Sequence, residues 1–124
     1  MTSKFLFAVL TVLLATCRLQ AQSADILAKS AMLNAEEAYS NENYDECFIY
    51  LSEAEKTLGK TNSMIQYLKV KAWMAVGNNS KNNLTAWQKA ETELKKYFEV
   101  TSENDAAPEK YDDMVYINGL MIYP

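Results

Sequence analysis

Through most of this chain apolar residues recur at three- and four-residue steps, and after residue 22 they nowhere alternate as a strand requires. The first such stretch, from about Ala24 to Ser40, places Leu27, Ala31, Ala35, Ala38 and Tyr39 on one face and offers Ser23 as its cap. Small alanines there allow another helix close approach. Asn41-Glu42-Asn43 breaks the pattern with residues that tolerate left-handed or capping geometry. A second helix opens at Tyr44, where Asn43 and Glu46 have capping-box spacing. Tyr44, Cys47, Phe48, Leu51, Ala54 and Leu58 form its stripe, and Gly59 supplies a left-handed stop.

A third helix is predicted over Ser63 to Val76, capped by Thr61 or Asn62 and ended by Gly77-Asn78, with Ile65, Leu68, Ala72 and Ala75 inward. The stretch Asn78 to Asn83 has no apolar residue and reads as a loop. Thr85 and Gln88 then have capping-box spacing for a fourth helix that buries Trp87, Ala90, Leu94, Tyr97 and Phe98. After a polar run from Thr101 to Ala107, Pro108 opens a fifth helix at the first-turn position, where its missing N–H costs nothing. Its predicted inward stripe is Tyr111, Met114, Val115, Asn118 and Met121 or Ile122. The expected fold class is all-α, with about five helices in one domain.

The first residues change the picture of where the chain works. Lys4, the apolar run Phe5 to Ala15 and the polar stretch Arg18 to Ser23 have the layout of a secretory signal, with cleavage expected after Ala21. The run is too short to span a bilayer, which takes about 20 residues. Residues 1–21 are therefore expected to be a signal peptide and 22–124 the helical domain, exported to the periplasm or cell exterior. Leu14-Ala15-Thr16-Cys17 competes as a lipobox and departs from that pattern at Thr16. Membrane attachment is expected only if Cys17 is lipidated, which would make the chain an outer-membrane lipoprotein. The net charge is −4, and two units more negative once Lys4 and Arg18 leave with the signal. Such an acidic chain is a poor partner for nucleic acid. Cys47, then alone, lies on its helix's apolar stripe and is expected to be buried.

Ala38-Tyr39 and Ala72-Trp73 stand about 34 residues apart, and Val115-Tyr116 echoes them after a longer interval. An alanine and aromatic close the first helix, Tyr44-Asp45-Glu46 opens the second, and Cys47, Leu51 and Ala54 follow as small, large and small. Over about residues 24 to 100 this pattern resembles the tetratricopeptide repeat. The resemblance implies antiparallel helix pairs stacked as a short right-handed solenoid, with units at about 24–60 and 61–100 and a capping or third-unit helix at 108–122. Gly59 stands where that family often has proline, and only two full units are present.

Chemistry is scarce. The chain has no histidine, which removes the commonest acid-base group. Glu36-Glu37, Asp45-Glu46 and Asp112-Asp113 are neighbours whose side chains point about 100° apart on a helix, and they read as solvated faces. Asn78-Asn79-Ser80 and Asn83-Leu84-Thr85 match the glycosylation sequon and are accounted for by loop composition. No catalytic set, metal spacing or phosphate loop can be assembled, so no cofactor and no enzymatic activity are expected. The resemblance implies a concave face, formed by the first helix of each unit, that holds a peptide or protein partner. The residues expected to line it are Met32, Glu36, Tyr39, Gln66, Val70, Trp73 and Met74. The competing expectation is that Tyr39 and Trp73 simply pack between units. A second function class is also open: an N-terminal adaptor domain of a larger exported enzyme or lipoprotein.

Overall fold

The computed structural model describes residues 23–81, 83–102 and 107–122. The predicted signal, its cleavage site and Cys17 lie outside the described residues. Five helices account for nearly all that is described: α1 (residues 23–40), α2 (Tyr44–Leu58), α3 (Ser63–Asn79), α4 (Leu84–Val100) and α5 (Pro108–Ile122). No strand occurs among the described residues, and no described helix is long and apolar enough to cross a membrane.

Asparagine starts three of the helices. The Asn43 side chain accepts from Glu46 N at 3.4 Å and donates to Glu46 Oε2 at 2.7 Å, so the predicted Asn43–Glu46 pair does cap α2. Asn62 accepts from Ile65 N at 2.9 Å, and Asn83 accepts from Ala86 N at 3.0 Å. Asn83, rather than Thr85, therefore caps α4, and the helix starts two residues earlier than its Thr85–Gln88 spacing suggested. Gly59 is left-handed at φ 70°, as expected of a C-terminal stop. In the first turn it is Glu42, at φ 58°, and not a flanking asparagine that takes the left-handed conformation.

Contacts between consecutive helices run head to tail. Phe48 meets Trp73 and Glu55 meets Lys69, while Gln66 reaches Glu93 and Gly77 lies under Trp87. Early residues of one helix meet late residues of the next, and late ones meet earlier ones, so α2, α3 and α4 are antiparallel in turn. Tyr97 and Phe98 meet Tyr111 in the same sense. In contrast, Tyr67 bonds Asp113 from the first half of both helices, which sets α5 parallel to α3. The chain is thus all-α with neighbouring helix pairs packed together, a packing compatible with a helical repeat.

Two cores follow from this order. The first gathers Ala31, Ala35 and Ala38 of α1 with Cys47, Leu51 and Ala54 of α2 and Ile65, Leu68 and Ala72 of α3. The second joins Val70, Leu94, Tyr97, Met114 and Ile117. Alanines on α1 and α2 let the backbones approach, while Leu and Ile fill the remaining volume. Two predicted facings and one predicted helix end need correction. Leu27 is 59% exposed and Ala28 takes its buried place; Val115 is 49% exposed and Ile117 is buried instead. In α5 the inward position that Ala72 holds in α3 belongs to Met114, one residue before the Val115 echo. Helices turn by about 100° per residue, so that slip carries Val115 from the core to solvent.

The third correction concerns Gly77. It does not end α3, which continues to Asn79 and is followed by an extended Ser80. Gly77 is buried, and a Cβ there would lie 2.7 Å from Trp87 Nε1. The glycine is a notch that admits the indole, and the predicted loop from Asn78 is correspondingly shorter.

Candidate functional site

With α1, α3 and α5 side by side, their shared inner face carries a candidate site. A cleft of about 230 Å³ is lined by Glu36, Tyr39 and Ser40 of α1, Met64, Tyr67 and Lys71 of α3, and Lys110 of α5. It shares Glu36 and Met64 with a more apolar cleft of about 610 Å³ that continues past Met32, Leu33 and Leu58. Together they make one groove, tyrosine- and lysine-lined at one end and greasy at the other.

The polar end is ordered by Asp113. Tyr67 Oη donates to Asp113 Oδ2 at 2.9 Å, and Lys71 Nζ donates to the same oxygen at 3.3 Å. Lys110 Nζ stands 5.2 Å from the centre of the Tyr67 ring, within range of a cation–π attraction. Asp113 thus faces two ammonium groups, and with Glu36 in the same lining the charges at this end balance. Asp113 is therefore more than half of a solvated acidic pair. Burial pushes the Tyr67 phenol up to about 12, helped by its hydrogen bond to Asp113 and by that group's charge. The phenol stays a hydrogen-bond donor at every physiological pH.

The seven residues expected on this face divide between several places. Glu36 and Tyr39 line the cleft, and Met32 lines its apolar continuation while being only 9% exposed. Gln66 and Val70 have no exposed surface at all, so the groove does not run over them. Gln66 donates to Glu93 Oε2 at 2.6 Å and to Glu93 O at 3.2 Å, and accepts from Thr61 Oγ1 at 2.9 Å. Val70 is in the second core. Trp73 is stacked on Phe48, ring centres 4.2 Å apart, with Lys89 Nζ 4.4 Å above it. Met74 packs on the second core and borders a separate cleft between α4 and α5.

The reason is helical phase. Residues 66, 70 and 73 share the side of α3 that α2, α4 and α5 cover between them, whereas Met64, Tyr67 and Lys71 lie on the side turned to the groove. A usable signal was present in the sequence: Lys69 and Lys71 are the only charged residues of α3. Lys69 pairs with Glu55 and Glu93, whereas Lys71 reaches Asp113 at the cleft.

Tyr39 meets Tyr44 edge-on at 5.7 Å, so this aromatic both lines the cleft and packs within its own pair. Cys47 has no exposed surface, and burial pushes its thiol up to about 11, which keeps it protonated and poorly nucleophilic. Among the described residues no group of acidic or cysteine side chains is placed to hold a metal ion. No protein family matches the chain, and neither any curated protein nor any solved structure is detectably similar to it.

Proposed function

We propose that this protein is an exported, tetratricopeptide-like interaction module without catalytic activity, holding a peptide or protein partner in the cell envelope along the α1–α3–α5 groove. The observation that carries the reading is the groove's composition. Amphipathic tyrosines and two lysines meet an apolar trough, the mixture by which surfaces hold an extended segment through both hydrogen bonds and apolar contact. The signal-like N-terminus and the repeat phase of Ala38-Tyr39 and Ala72-Trp73 support the address and the family likeness.

The test is affinity capture from cell-envelope extract with the wild-type chain and with a Lys71→Glu/Lys110→Glu variant. A defined partner recovered by the wild type and lost by the variant is the expected result. Equal recovery by both moves binding off the groove, and turnover of a small substrate by the purified chain removes the non-catalytic reading.

A further inference from the structure

We propose that the outer face of α5 around Gly119 docks an amphipathic helix of a partner protein, which seats an aromatic side chain on the glycine and sets a cation beside it. The chain already contains this contact once. Gly77 of α3 lies under the Trp87 indole of α4, and Lys89, next on α4 by two residues, stands over Trp73, one helical turn before the glycine.

The glycine recurs in α5 one repeat on, with Val115 where α3 has Trp73. Gly119 follows Val115 by a turn, as Gly77 follows Trp73. The register is fixed by independent contacts: Tyr111 packs on Phe98 where, one unit earlier, Lys69 pairs with Glu55, and Met114 holds the place of Ala72. What differs is the cover. Nothing lies within 4 Å of a Cβ placed at Gly119, and Val115, Tyr116 and Leu120 are 49%, 67% and 50% exposed. Glycine inside a helix weakens it, and at Gly77 close approach of the indole offsets that cost. At Gly119 no described residue does so.

The occupant's chemistry follows from continuity and charge. The face extends the α3–α4 interface by one repeat, so the complementary shape is a helix bearing a large aromatic knob. Asp112, exposed and two turns before Gly119 on the same side of α5, stands beside the place where the incoming cation would fall. That carboxylate favours a helix carrying a cation there. The site stands apart from the inner groove, and either can fail without the other.

A fluorescein-labelled peptide with the α4 sequence, Leu84–Val100, carries both the indole and the cation and serves as the probe. Saturable anisotropy change with the full chain is expected. Binding should weaken at least tenfold when the peptide carries Trp87→Ala, and again when the chain carries Gly119→Leu. The Gly119→Leu chain has room for its side chain, and circular dichroism checks that it is folded. A Ser52→Glu chain, altered on the exposed outer side of α2, should bind the peptide normally. Absence of saturable binding overturns the proposal, as does equal binding by Gly119→Leu, which would place the peptide at Gly77 in exchange with α4. Sedimentation of the chain alone covers the remaining occupant: self-association abolished by Gly119→Leu would give the face to a second copy and overturn the partner assignment.

Discussion

Gly77 and Gly119 hold corresponding places in two helices, yet a methyl group added to each meets opposite surroundings. At Gly77 it collides with Trp87 at 2.7 Å, and at Gly119 it meets nothing within 4 Å. Gly77→Ala is therefore expected to destabilise by about 1 kcal/mol or more, overpacking outweighing the gain in helix propensity. Gly119→Ala should stabilise by up to about 1 kcal/mol. Thermal melts of the two variants check this, and equal shifts would contradict the facing assigned to α5. A second residue-scale expectation concerns Tyr67, whose phenol rises from the ordinary 10.0 to about 12 in the fold. The fold favours the protonated form, so the contribution is full below pH 10 and is lost as pH rises through 12. Urea midpoints should stay level to about pH 9, where Cys47 starts to ionise in the unfolded chain, and fall beyond it, less steeply above pH 10 in Tyr67→Phe; an unchanged alkaline limb in that variant would contradict it. Tyr44, Tyr97 and Cys47 are raised as well, burial leading in each, so part of the fall remains. Cys47 illustrates what single residues disclose: its place on an apolar stripe was enough to foresee its burial. Gln66 was not legible in the same way, because a buried amide is recognised only by its partner, Glu93, on a different helix.

Helices were legible wherever a cap and a period agreed. Asn43 with Glu46, the Cys47–Leu51–Ala54 stripe and Gly59 each point to the same α2, and all three are found. The ends of α3 and the start of α4 were harder. A glycine followed by asparagines carries the local signature of a helix stop, and only the indole ten residues on reveals that Gly77 serves packing. The seams between helices allow a direct check of the assigned faces. Ala54 and Ala90 have no exposed surface, and each sits where two helix backbones meet. Ala54→Leu and Ala90→Leu should each cost about 1–3 kcal/mol by overpacking. Glu53→Gln, on the exposed side of α2, should change stability by less than about 0.5 kcal/mol. Equal melting temperatures across the three would mean that the inner faces are misplaced.

At the scale of the whole molecule, order along the chain becomes order in space: each helix packs on its predecessor, and α1, α3 and α5 come to share one side. The repeat phase foretold the pairing of helices but not which flank of α3 would remain open. That flank depends on where α5 settles, and α5 is positioned by Tyr67, Lys71 and Asp113, contacts between distant parts of the sequence. Four of the seven expected groove residues consequently proved to be core or outer packing, while Met32, Glu36 and Tyr39 stayed on it with Lys71 and Lys110 beside them. Trp73→Ala is accordingly expected to act on stability, by removing the Phe48 stack, rather than on partner binding. The most direct measurement is site-specific photo-crosslinking in intact cells, with a photoreactive residue at Ser40 in the groove or at Ser52 on the exposed outer side of α2. The account predicts one discrete adduct from Ser40 and none from Ser52; an adduct from Ser52 alone would contradict it.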